Sequence, residues 1–274
     1  MPYRLMNNKL RLIALCLLPL TLAACPQAQR NAAGSASQQQ AENQPAADDG
    51  VDGIGSLGGI PIRFSGYITP GPMSYEDTPT IFSPDWENYK SPPRTLKSPI
   101  RDFGIEVNLD TGKVFDNRTD SFSDRSEERK IKNSPWASVN FYTTAVLDFL
   151  NSYLDDDVRA KPKLPEYTFK KTGEVQYGLE VYEQLEPDSN TGSTNTLFIA
   201  RDKKGDVSSY IKCSNNNVPN PPCTHKFLSQ MSPYAYFSVG YSRYRLKDWQ
   251  KIEARVQEIL AEFADNAKHP ERKL

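Results

Sequence analysis

From Ile60 onward the apolar positions of this chain fall into short runs with two different periods. Ile60-Pro-Ile-Arg-Phe-Ser-Gly-Tyr-Ile68 reads as a first strand. Phe103, Ile105, Val107 and Leu109 then alternate with Gly104, Glu106 and Asn108, the period of two expected of a strand buried on one face. Asp110-Thr-Gly-Lys113 is a turn, and Val114-Phe115 begins its return. Over residues 174–185, Val175, Tyr177, Leu179 and Val181 alternate inward in the same way. Residues 195–201 and 207–213 flank Asp202-Lys-Lys-Gly-Asp206 as a hairpin, and Thr224–Leu228 pairs with Tyr234–Tyr244 around Ser232-Pro233 as another. Helical spacing takes over twice. Ser134 and Pro135 offer an N-cap and a first-turn proline, followed by Val139, Tyr142, Val146, Leu147, Leu150 and Leu154. Over 246–264, Trp249, Ile252, Val256, Ile259, Leu260 and Phe263 form one apolar stripe.

The remaining segments lack such periods. Residues 70–100 are proline-rich and irregular, with Tyr75, Phe82, Trp86 and Tyr89 as the side chains expected to pack. Residues 116–133 are polar and mixed in charge, and read as a solvated loop. Residues 26–59 are Gln, Ala, Ser, Asn, Asp and Gly with almost no large apolar side chain, so burial cannot offset the entropy of ordering them. The expected class is α+β, an antiparallel sheet with amphipathic helices packed on one face. Residues 60–265 form one globular domain and 266–274 a polar tail. Its parts 60–155 and 166–265 read as two similar β-plus-helix halves, by convergence on a common hairpin or by duplication.

The beginning of the chain changes the picture. Arg4, Lys9 and Arg11 precede an apolar run from Leu12 to Leu22, which is half a bilayer span and has the layout of an export signal. It ends in Leu22-Ala-Ala-Cys25, which resembles the lipobox of bacterial lipoproteins. The resemblance implies cleavage of residues 1–24, a diacylglycerol thioether on Cys25 and an acylated amine. Several acyl chains give a stable anchor, at roughly 0.8 kcal/mol per buried methylene. Residues 25–59 would then be the lipidated cysteine and a tether, with a root-mean-square reach of about 30–35 Å. Pro26 stands where enterobacterial lipoproteins retained in the inner membrane carry Asp. The localisation implied is periplasm-facing, with the outer membrane favoured.

Loss of the signal leaves 30 Lys and Arg against 34 Asp and Glu, a net charge of −4, so the domain is a poor general binder of nucleic acid. Cys16 leaves with the signal and Cys25 carries lipid. Cys213 and Cys223 remain, an even pair in an oxidising compartment, too widely spaced for a Cys-x-x-Cys redox or metal motif. Their disulfide would close the Pro- and Asn-rich loop between them.

Candidate chemistry is sparse. Gly53-Ile-Gly-Ser-Leu-Gly58 has the letters of a dinucleotide-binding turn but no preceding strand pattern, and reads as linker. Asp110-Thr-Gly112 lacks the second such triplet that an aspartic protease needs. His225 and His269 are the two histidines, too few and too far apart for a zinc site or a serine triad. No catalytic residue, metal ligand or cofactor is assigned, although a glycosidase-type carboxylate pair is set in space and not in sequence. The strand 234–245 is more informative. Phe237, Val239 and Tyr241 face one way; Tyr234, Tyr236, Ser238, Ser242 and Tyr244 face the other, with Arg243 and Arg245 beside them. Tyr and Arg dominate binding hot spots, so Tyr234, Tyr236, Tyr244, Arg243 and Arg245 are the candidate partner-binding residues.

Cys223-Thr-His-Lys-Phe227, the hairpin return, and Arg245-Leu-Lys-Asp-Trp-Gln-Lys-Ile-Glu253 resemble the C-terminal part of small proteobacterial lipoproteins found beside type VI secretion effectors. The resemblance covers about the last fifty residues and carries no binding residues over. It implies an immunity protein whose partner is a secreted toxin. A structural or assembly lipoprotein of the envelope or secretion machinery is the alternative, and an envelope hydrolase the third.

Overall fold

The computed structural model describes residues 52–274 apart from Pro70, Pro72 and Ile81; the signal, Cys25 and most of the expected tether lie outside the described residues. One eleven-stranded sheet runs through both expected halves. Its strands are β1 (Gly53–Leu57), β2 (Ile60–Phe64), β3 (Ser74–Tyr75), β4 (Pro99–Asn108), β5 (Trp136–Thr143), β6 (Phe169–Gln176), β7 (Leu179–Gln184), β8 (Asn195–Arg201), β9 (Val207–Ser214), β10 (Pro222–Leu228) and β11 (Ala235–Ser242). Among the described residues three α-helices accompany it: α1 (Phe122–Lys130), α2 (Phe149–Val158) and α3 (Trp249–Lys268). The spatial order is β2-β1-β4-β5-β11-β10-β9-β8-β7-β6, with β3 also on β4. Every pairing is antiparallel except that of β1 with β4. The class is α+β.

The apolar stripe of α3 is buried as its spacing predicts, from Trp249 through Ile252, Val256, Ile259, Leu260 and Phe263. It covers the face of the sheet that carries Phe64, Phe103, Phe141 and Phe237. These rings form one stack: Phe103 lies flat on Phe141 at 4.5 Å, Phe237 meets Phe141 edge-on at 5.3 Å, and Phe263 of α3 sits 4.7 Å from Phe64. A smaller core joins Phe149, Leu150 and Leu154 of α2 to Phe169, Leu197, Ile199 and Tyr210. Leu197 and Ile199 alternate with Phe198 and Ala200, which belong to the α3 core. By the strand's period of two, α2 therefore lies on the face opposite α3.

Several local expectations are corrected. The helix expected from Ser134 to Leu154 is a strand, β5, followed by the shorter α2. Ala137, Val139 and Phe141 also alternate with period two, and hydrogen bonding on both sides by β4 and β11 decides for the strand. Ser134 Oγ accepts from Trp136 N at 3.3 Å instead of capping a helix. The loop 116–133 contains α1, which begins at Ser121, whose Oγ accepts from Asp124 N at 3.2 Å. The strand expected over 174–185 is the hairpin β6–β7, with Tyr177-Gly178 as its two-residue turn, and both Val175 and Tyr177 are exposed. Of the aromatic residues in the proline-rich segment only Tyr75 is buried; Phe82 is 90% exposed and Trp86 43%.

The Gly-x-Gly stretch is also not linker but β1. Gly53 stands against the ring of Phe64 so closely that a Cβ has no room, and a Cβ on Gly55 would lie 2.6 Å from Ile100 Cγ1. These glycines are packing residues, and glycine carries no hydropathy by which a strand is recognised.

Cys213 and Cys223 are direct cross-strand partners on β9 and β10, buried and joined by a disulfide. Replacing both by Ala should lower stability by about 2.5–3 kcal/mol through the freed loop in the unfolded chain. The urea midpoint should fall, with a slope equal to or slightly above the parent's because the freed unfolded chain is less compact; an unchanged midpoint would contradict the assignment.

Candidate binding face

The strand period sorts β4, β5, β11 and β10 into two faces. Phe103, Ile105, Val139, Phe141, Phe237, Val239, His225 and Phe227 point to α3 and are buried. The opposite face is built from cross-strand rows. One runs Asp102–Tyr142–Tyr236–Leu228, the next Gly104–Asn140–Ser238–Lys226, the third Glu106–Ser138–Gly240–Thr224. None of these residues is buried. The floor is small and polar, so its short hydroxyl and amide side chains are within reach of a partner, while the strand backbone is already paired in the ladder.

Two rims frame the floor. On the β4 side, Arg125 and Arg129 of α1 both pair with Glu106, and Arg129 Nη2 donates to Ser138 Oγ at 2.9 Å. On the other side Tyr236 stacks on Tyr142 at 4.9 Å and meets Phe149 of α2 at 4.5 Å, while Lys226 Nζ sits 3.8 Å over the Tyr153 ring. Burial pushes the Tyr236 phenol up to about 12, with the neighbouring tyrosines and the Asp102 carboxylate adding to it, so it stays a neutral hydrogen-bonding group. Asp102 and Lys226 make no ion pair among the described residues, which leaves one charge of each sign at the face.

Tyr236 is the one sequence-predicted candidate on this floor. Tyr234 lies beyond the strand's start, half-exposed, in a recess shared with Gly58, Glu76, Arg101 and Thr143. Arg243 and Tyr244 lie past the strand's other end, about 26 Å away at 3.3 Å per residue, and Tyr244 faces Lys132. Arg245 is tied to Asp110 and to the Asn133 carbonyl. Its hydrogen bonds hold the Asp110 carboxyl below the usual carboxylate range. The five residues do not form one patch. What sequence reading missed is the floor itself; its signal was the recurrence of Gly, Ser, Asn and Thr at every second position between buried aromatics.

The α3 side holds a buried polar chain. Glu253 Oε1 accepts from Ser209 Oγ and faces His225 Nε2 at 2.9 Å, and His225 Nδ1 faces Tyr241 Oη at 3.3 Å. These are hydrolase residue types in the wrong order. The serine proton points to a carboxylate, no imidazole nitrogen lies beside Ser209 to take it, and His225 is fully buried. The chain instead locks α3 to β9, β10 and β11. No group of three or more His, Cys, Asp or Glu among the described residues is placed to hold a metal. No helix among them is long and apolar enough to cross a membrane.

No protein-family model matches the chain, and no curated protein matches it. Among solved structures it is similar to an immunity protein of the Stenotrophomonas maltophilia type IV secretion system, at 16% identity over 78% of this chain and 92% of that one, with a TM-score of 0.49. A likeness of that size fixes neither family nor function.

Proposed function

We propose that the chain is a periplasm-facing lipoprotein whose domain binds and neutralises a secreted toxin, an immunity protein of the type VI kind. Cys25 is its anchor, the residues before Gly53 its tether, and the outer membrane its site. The observation that carries the binding role is the uncovered floor of β4, β5, β11 and β10, set between α1 and α2. A sheet face of serine, asparagine and threonine with glycine between offers short hydrogen-bonding side chains whose desolvation is offset when a partner pairs with them, and the Tyr142–Tyr236 stack supplies an aromatic anchor at its edge.

The test uses Gly240. A Cβ placed there would meet nothing closer than Ser138 O at 4.0 Å, so the backbone has room for a side chain, which would extend over the exposed face of the floor. Gly240→Trp should keep the melting temperature, weaken toxin binding by about 30-fold or more, and fail to protect cells from toxin-delivering siblings. Full protection by this variant would remove the floor as the interface. Survival of a deletion strain beside such siblings would sink the immunity role itself, and an envelope defect without any toxin would favour the assembly lipoprotein.

A further inference from the structure

Past the end of β11 the chain forms a recess lined by Tyr177, Ser214, Asn215, Asn216, Arg243 and Tyr244, with Pro221 at its side and no carboxylate in its lining. Arg243 is half-buried there. Its Nη1 donates to the Ser214 carbonyl at 3.2 Å and to Asn215 Oδ1. Its Nε and Nη2 have no partner among the described residues and are not sealed from solvent. Those two nitrogens form the side-on edge that matches both oxygens of a carboxylate. The guanidinium gives up water and gains neutral partners only, and burial lowers its pKa accordingly.

The surroundings are held in place. Asn215 Nδ2 donates to Thr194 Oγ1 at 2.7 Å and Thr196 Oγ1 donates to Asn215 Oδ1 at 3.2 Å, so the amide that grips Arg243 is fixed. The loop bearing Ser214, Asn215 and Asn216 is closed by the Cys213–Cys223 disulfide. Tyr177 is the less expected member. It opens a two-residue hairpin turn with φ of 54°, followed by Gly178 at 80°. That conformation favours Asn or Gly and disfavours a bulky side chain. The Trp249 indole N–H holds the Tyr177 carbonyl at 3.0 Å. An aromatic ring is thus kept at the recess against its backbone preference, a pattern that marks functional positions.

We propose that this recess is a carboxylate-binding site, in which Nε and Nη2 of Arg243 grip both oxygens while Tyr177 and Tyr244 flank the carbon chain that bears them. It is separate from the toxin-binding floor and does not depend on it. The carboxylate comes from a polypeptide or from a free small acid, and the probes separate the two.

With the protein labelled with 15N at arginine, the Arg243 Nε–H resonance would be followed during titration with an end-blocked Glu/Tyr hexapeptide, with N-acetylglutamate, and with chloride as control. A shift at about 1 mM peptide, with N-acetylglutamate at least about tenfold weaker, assigns the site to polypeptide carboxylates. Equal affinity assigns it to small acids. Arg243→Lys, which keeps the charge and loses the fork, removes the arginine reporter. Its binding, followed instead by the backbone amide resonance of 15N-labelled Asn215, which lines the recess, should weaken by about tenfold. Tyr177→Asn should raise the melting temperature by about 2 °C as the turn relaxes, yet weaken binding. No shift beyond the chloride control at about 10 mM of either probe overturns the proposal, as does undiminished binding by both variants.

Discussion

Phe141→Ala is expected to destabilise the domain by about 3–5 kcal/mol, which at this size lowers the melting temperature by about 10 °C. Phe141 is fully buried at the middle of β5, hydrogen-bonded on both sides by β4 and β11. Its ring is held flat by Phe103 and edge-on by Phe237, with Phe263 of α3 at 6.0 Å. Rings on three different elements cannot all move inward to fill the space, so the cavity term persists alongside the lost burial. Phe82→Ala is the matched control. The same change at a ring 90% exposed should stay within about 0.5 kcal/mol. Urea unfolding of both variants reads the difference directly. Comparable losses would mean that Phe141 does not sit at the centre of the packing or that Phe82 is not in solvent.

The same residue shows why part of the fold was legible in the sequence and part was not. Phe141 belongs to a segment whose apolar positions satisfy two periods at once. Helical spacing over Val139, Tyr142 and Val146 competes with alternation over Ala137, Val139 and Phe141, and Ser134-Pro135 tips a local reading toward helix. The deciding interaction is non-local: β4 and β11 are far away in sequence and supply hydrogen bonds on both edges. Helix α3 posed no such conflict, because eight of its residues bury along one stripe and nothing in it alternates. The hairpins β8–β9 and β10–β11 were legible for the same reason, each with its turn residues in place.

Other elements were hidden because what builds them is not hydropathy. Strand β1 is recognised by the absence of side chains at Gly53 and Gly55, where Phe64 and Ile100 need the space. Helix α1 has a single buried residue, and that residue is Arg125. An amphipathic search passes over it, although Ser121 and Asp124 at its start and Arg129 and Lys130 at its end are favourable capping and dipole signals. The candidate face suffered a related loss. Tyr and Arg residues drew notice because they dominate hot spots, yet the strand carries Tyr234 and Tyr244 to opposite ends. The floor between them is made of residues too small to stand out.

Arg125 supplies the second large effect. Its side chain is 8% exposed and that of Glu106 12%, and the guanidinium lies between the rings of Phe115 at 4.7 Å and Phe122 at 4.0 Å. Removing the carboxylate strands a buried cation, so Glu106→Leu should cost about 3–5 kcal/mol. Removing the cation leaves Glu106 still bonded to Arg129 at the rim, so Arg125→Met should cost less, about 1–2 kcal/mol. In the double variant the two new apolar side chains extend the contact with Phe115 and Phe122, and stability should return to within about 1 kcal/mol of the parent. The expected coupling between the two sites is then about 3 kcal/mol or more, measured by a double-mutant cycle in urea. Additive losses would show that the pair acts as two independent surface charges. Recovery in the double variant carries a further consequence, because the ion pair joins α1 to β4 at the rim of the open floor. A rim that is stable without its charges, yet no longer supports the proposed toxin binding, would place Glu106 and its two arginines in recognition and not in folding.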